Sequence, residues 1–164
     1  MPNQILTSEA PFQGLVDKIG LIRRYMTESL RHPGVRSYAE EINVGENGKK
    51  SLNFLFENLK RVFKYMPDPV GVEYIKAPWV LVDEIQSRGW AAGDCDDMAA
   101  LSYVLMRMVG YNAGLRVGWK NGNTDPSHIW NYVKSRTGLR IDFDLTTPRL
   151  GASHPNLTRV EDFS

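Results

Sequence analysis

The chain has 164 residues, with 20 Lys+Arg against 19 Asp+Glu, three His and a single Cys. Its 42% apolar and 24% charged residues are the balance of one folded domain with a proper core, and exclude a disordered chain. A net charge of +1 supplies no electrostatic footprint for nucleic acid or anionic lipid, and the lone Cys95 excludes both a disulfide framework and a zinc site built on several thiolates.

Met1–Ala10 has no charged-then-apolar leader pattern. No run approaches the roughly 20 apolar residues that span a bilayer, so neither a signal peptide nor membrane insertion is expected. Phe12, Leu15, Val16, Ile19, Ile22 and Met26 recur at helical spacing and predict an amphipathic helix from Pro11 to about Arg31, stopped by His32-Pro33-Gly34. A short helix through Val35–Ile42 follows, then a polar, glycine-containing loop at Asn43–Lys50. Residues 1–50 read as a helical arm whose apolar stripe either packs on the core or docks a partner. Ser51 is placed to cap a helix bearing Leu52, Leu55, Leu59, Val62, Phe63 and Met66, ended by Pro67-Asp68-Pro69. Another helix is expected over Val80–Arg88.

From Cys95 onward, Met98, Leu101, Leu105, Met108 and Val109 form a long apolar stripe closing at Gly110. The pattern then turns to β character at Gly114–Trp119, Ile129–Lys134 and Leu139–Leu145, separated by turn-rich linkers. Helices followed by antiparallel strands predict an α+β fold, with the strands packed on the helix that begins at Cys95. Residues 148–164, with two prolines and little periodicity, read as a wrapping or loosely held tail.

Gly93-Asp94-Cys95-Asp96-Asp97 puts the thiol in the first turn of that helix. Asp94 is a good N-cap and Asp97 can reach back to it as a capping box. Unpaired N–H groups and the helix dipole favour a thiolate there and can donate to an oxyanion, whereas the three carboxylates oppose ionisation. A nucleophilic Cys95 therefore needs an imidazolium beside it. His128 opens the second β segment, and Ile141-Asp142-Phe143-Asp144 alternates its acids to one side of the third. If these strands pair around Ser135–Gly138, His128 and Asp144 become neighbours and Asp142 lies one pleat further along; either acid could orient the imidazole. His32 and His154 have no comparable setting. Trp90 and Gln86, upstream of the thiol, are possible oxyanion or pocket residues. Consecutive helical acids point in different directions and no second ligand cluster accompanies them, so neither a metal nor another cofactor is expected.

Gly93-Asp94-Cys95-Asp96-Asp97-Met98-Ala99-Ala100-Leu101, Val109-Gly110-Tyr111, His128-Ile129-Trp130 and Asp144-Leu145-Thr146, in this order, resemble the transglutaminase-like superfamily core. Pro67-Asp68-Pro69, Glu73-Tyr74-Ile75 and Pro78 resemble a small bacteriophage or prophage subgroup of it. The resemblance runs over roughly residues 51–147. It implies a papain-like α+β core, its nucleophile starting a central helix packed on an antiparallel sheet. It also implies Cys95 as nucleophile, His128 as base and Asp144 as orienting acid of a cysteine peptidase or amidase. A protein or peptide substrate follows from that, as does a setting in the bacterial host cytoplasm or the phage virion. Phage structural proteins are then partners for the helical arm. The Asp96 that follows the nucleophile, where large calcium-dependent transglutaminases carry Trp, argues against a calcium-activated crosslinker. A non-catalytic structural or adaptor protein of a phage particle is the competing expectation.

Overall fold

The computed structural model describes residues 6–7, 15–43, 50–70, 74–124 and 126–163. A short strand β1 (Leu6–Thr7) is followed by helices α1 (Leu15–Ser29), α2 (Pro33–Ile42) and α3 (Leu52–Val62). Next come β2 (Phe63–Tyr65), β3 (Tyr74–Ile75), α4 (Pro78–Arg88), β4 (Ala91–Gly93) and α5 (Cys95–Met108). The chain closes with β5 (Ala113–Lys120), β6 (His128–Lys134), β7 (Arg140–Phe143) and β8 (Leu157–Phe163). This is the α+β architecture expected from the sequence, with helices first and the main antiparallel sheet last.

That sheet runs in the order β7-β6-β5-β8. Leu115, Val117, Ile129, Val133 and Phe143 face α5, which buries Leu101, Val104 and Leu105 in the same core. The Pro11–Phe12 start expected for the first helix, the loop at 44–49 and Glu73 lie outside the described residues. Within α1, Ile19, Ile22, Tyr25 and Met26 are buried in the common core. Ile19, Ile22 and Met26 of the arm's apolar stripe are thus spent on packing, and Tyr25 meets Trp79 of α4 edge-on at 5.6 Å.

Three elements depart from expectation. The third helix stops at Val62 rather than running to Met66, because Phe63–Tyr65 pair in parallel with Ala91–Gly93. Ser51 occupies the N-cap position without a side-chain capping bond. The tail is not loose: β8 pairs antiparallel with β5, Leu115 opposite Phe163, and completes the sheet edge. No helix among the described residues is long and apolar enough to cross a membrane.

Candidate active site

Cys95 is the first residue of α5 and is half-buried. The turn that presents it is built as the sequence predicts: the Asp94 carboxylate accepts from the Asp96 N–H at 3.2 Å, and Asp97 Oδ2 accepts from the Asp94 N–H at 3.3 Å. The capping box is therefore complete. Gly93 is required by close approach. A Cβ placed there would stand 2.3 Å from Asp97 Oδ2 and 2.6 Å from Asp97 Cβ, so any side chain would expel the capping acid.

β2 and β4 hold this turn from behind. Phe63, Lys64 and Tyr65 register with Ala91, Ala92 and Gly93, and the Met66 N–H donates to the Gly93 carbonyl at 2.8 Å. Lys76 adds a second brace, its N–H donating to Asp97 Oδ1 at 2.8 Å and its ammonium to the Ala92 carbonyl at 2.8 Å.

On the β6 side, the backbone N–H of Ile129 favours the thiolate form of Cys95. Ile129 directly follows His128 in β6, so the thiol lies beside the histidine strand. His128 Nε2 donates to Asp144 Oδ2 at 2.7 Å, with both side chains buried. Asp144 also accepts from the Thr146 N–H at 2.9 Å and from Thr146 Oγ1 at 2.6 Å. Burial alone would push the Asp144 carboxyl up, but the His128 hydrogen bond and charge, with the Thr146 donors, outweigh it and hold it below the ordinary value. With Nε2 engaged by Asp144, Nδ1 is the ring nitrogen left for exchanging a proton.

The alternative acid, Asp142, serves other groups. It accepts from Arg116 at 2.7 Å and from Trp130 Nε1 at 3.1 Å. Trp130, two residues along the same strand face, in turn stacks on the His128 ring with centroids 5.3 Å apart. Gln86 is exposed on α4. Trp90 is sandwiched by cations, with Lys64 4.2 Å and Arg88 3.9 Å from its ring centroid. Neither residue is brought to the His128–Asp144 pair by any described contact. A residue that the sequence reading set aside does reach it: the His154 ring lies 4.2 Å from that of His128. His128 is thus flanked by Trp130 and by His154, the latter carried on the segment between β7 and β8.

Electrostatics at the Cys95 thiol are severe. The Cys95 thiol is pushed up to about 12, by burial first and then by the Asp96 and Asp94 carboxylates; the Ile129 N–H and Lys18 pull the other way. Asp96 and Asp97 are themselves raised by burial and by their neighbouring acids. Contrary to the divergence expected of consecutive helical positions, one oxygen each from Asp94, Asp96 and Asp97 lies within 4.8 Å of the others. The capping box explains this: Asp94 sits outside the helix in extended backbone and Asp97 folds back onto it. The three together are close enough to share a hard cation.

A cavity of about 480 Å³ opens over His128, between Tyr65 of β2, Thr146 and His154. Tyr65, on its wall, has its phenol raised by burial first and then by the charges of Cys95 and Asp94.

The fold is shared with solved structures of low identity. A candidate protease from Parabacteroides distasonis is 11% identical with a TM-score of 0.55, covering 85% of this chain, which spans just 31% of that one. A candidate cysteine protease from Cytophaga hutchinsonii is 16% identical with a TM-score of 0.50, over 94% of this chain and 56% of that one. Calcium-bound LapG of Legionella pneumophila is 18% identical with a TM-score of 0.49, over 93% of this chain and 78% of that one. No curated protein matches the sequence. The sequence pattern of the transglutaminase-like superfamily matches residues 36–144, well over half of the chain, and includes Cys95, His128 and Asp144. With the fold and the motif order in agreement, the chain belongs to the transglutaminase-like superfamily.

Proposed function

We propose that this protein is a cysteine hydrolase that attacks an amide bond of a protein or peptide through Cys95, His128 and Asp144. The observation that carries the reading is the buried 2.7 Å His128–Asp144 bond, on the strand whose next N–H, that of Ile129, favours the Cys95 thiolate. His128 Nδ1 takes the thiol proton, and the thiolate adds to the amide carbonyl carbon. The Cys95 N–H in the first helical turn donates to the resulting oxyanion. As the C–N bond breaks, the imidazolium returns its proton to the leaving amine, and a thioester remains. Water, deprotonated by His128, then attacks the thioester carbonyl and regenerates the thiol. Transfer to an amine in place of water uses the same thioester; hydrolysis is preferred because no amine site is distinguished among the described residues. The names carried by the Parabacteroides and Cytophaga neighbours support a peptide substrate.

One observation favours a second reading, a structural or adaptor protein that keeps the fold without the chemistry: the thiol is held up to about 12 by burial and by Asp96 and Asp94. Iodoacetamide separates the two. A working nucleophile is alkylated at Cys95 at neutral pH, and much more slowly after His128→Ala. A Cys95 that ignores the reagent in the native protein, or a Cys95→Ala protein with full amidase activity, refutes the hydrolase. The bacteriophage or prophage origin rests on the Pro67–Pro78 motif with the acids around Cys95, and mass spectrometry of purified virions tests it.

A further inference from the structure

The field across the site is strongly asymmetric. On the α5 side, Asp94, Asp96 and Asp97 crowd the nucleophile. The cavity over His128 has the opposite character: Lys60, Lys120 and His154 line it, together with Tyr65, Ser127 and Thr146, and no carboxylate does.

Neither lysine is paired with a carboxylate of the described residues. The Lys60 ammonium donates to the Leu145 and Thr147 carbonyls at 3.3 and 2.5 Å and stands over the Phe56 ring at 5.8 Å. Carbonyl dipoles and a ring face fix its place without cancelling its charge. Among the described residues, no carboxylate lies within ion-pair distance of Lys60 or Lys120, whereas Lys76 holds Glu84 at 2.9 Å and Arg116 holds Asp142 and Asp162 at 2.7 Å each. A half-buried ammonium lacking a counterion has a standing demand for one, and a ligand carboxylate satisfies it with a charge-assisted hydrogen bond. The remaining walls suit a side chain that ends in such a group: Phe63, Met98 and Leu145 accept methylenes.

We propose that the cavity over His128 binds a carboxylate carried by the peptide substrate, with Lys60 and Lys120 as its cationic partners. This rests on the hydrolase reading and gives it a substrate class, namely peptides bearing an acidic side chain or a free C-terminal carboxylate on the His128 side of the scissile bond. The acids around Cys95 offer a carboxylate no cationic partner on the other side, so the lysines set the direction in which the peptide lies.

The test is made on Cys95→Ala protein, so that it reads binding and not turnover. Three fluorescein-labelled peptide pools of Ala, Gly and Ser are titrated by anisotropy: amidated with one central Glu, amidated with one central Gln, and without Glu but ending in a free carboxylate. The Glu pool or the free-acid pool is expected to bind about tenfold or more tightly than the Gln pool at low salt. Which of the two wins identifies the source of the carboxylate. The advantage is expected to fall to about threefold or less in Lys60→Met, in Lys120→Gln and at high salt. Lys60 also braces the Leu145–Thr147 carbonyls, so Lys120→Gln, on an exposed residue, keeps the test open if Lys60→Met fails to fold. Equal affinity for all three pools, or an advantage that survives Lys120→Gln undiminished, overturns the proposal. Iodoacetamide labelling of the unsubstituted protein reports the nucleophile separately, so a failure of the hydrolase reading is distinct from a failure of the carboxylate site.

Discussion

Replacing Asp144 by Asn tests the buried pair at the centre of the site. Asp144 is 3% exposed and accepts three hydrogen bonds, the shortest being those from His128 Nε2 and Thr146 Oγ1. An amide keeps a carbonyl for the Thr146 donors but loses the charge that His128 faces. A hydrogen bond to a charged group is worth about 1.5–3 kcal/mol, so the substitution should cost about 2 kcal/mol at neutral pH. At about 2–4 °C per kcal/mol for a chain of this size, the melting temperature should fall by about 4–8 °C. The pH dependence follows from the sign of the shift. Asp144 is held below its ordinary value, so its contribution is present above the unfolded-state value and is lost as pH falls through the folded one. Circular-dichroism melts of both proteins at a series of pH values should show a full gap near neutrality that closes under strong acid. A gap that persists unchanged in strong acid, or no gap at neutral pH, refutes the reasoning. On the proposed hydrolase mechanism, amidase activity falls by about 10³-fold or more, since the amide no longer fixes the imidazole tautomer.

Asp96→Asn removes a buried charge whose Oδ1 has no hydrogen-bond partner. Asp96 is raised, by burial first, so its favourable state is the protonated one below the unfolded-state value and is lost as pH rises. The variant should therefore out-stabilise the parent by about 1 kcal/mol at alkaline pH with a lead that shrinks under acid, read by urea midpoints. Because Asp96 is the first carboxylate holding the thiol up, Cys95 alkylation should also accelerate about tenfold; a slower rate contradicts the electrostatic account. Gly93→Ala should cost about 1–2 kcal/mol through loss of the Asp97 cap, and an unchanged urea midpoint would show that the turn can yield. His154→Ala uncovers one face of His128; peptide affinity should weaken by about threefold while the melting temperature moves by about 2 °C or less, and unaltered affinity would make the ring contact incidental.

What was legible in the sequence was what local spacing encodes. The Asp94–Asp97 box is a relation three residues long, and the placement of Cys95 at a helix start follows from it. The strands around His128 and Asp144 were readable because alternation and one hairpin turn bring those residues together. Pairing between distant segments was not. Val62 and Phe63 continue a helical stripe on paper, yet the backbone opens at Phe63 to meet Ala91, and nothing within the local window of Phe63 records that partner. Leu157–Phe163 lies at a sheet edge with mostly exposed side chains, so its alternation carries little apolar contrast. His154 had no signal at all. It reaches His128 because the chain folds back between β7 and β8, with Gly151 and Asn156 both at positive φ on either side of it.

α3 is the shared anchor of the two halves of the site. Its C-terminal end runs straight into β2, which holds the turn that carries Cys95. One turn earlier, Lys60 grips the carbonyls that flank Asp144's loop, and Phe56 meets Phe143 edge-on at 5.1 Å. Eleven residues thus span the thiol and the acid like a splint across a joint. Slow amide exchange should begin to fail in α3, β4 and the Leu145–Thr147 loop together, as one cooperative unit. A partner that grips α3 would then address Cys95 and Asp144 at once, without entering the cavity.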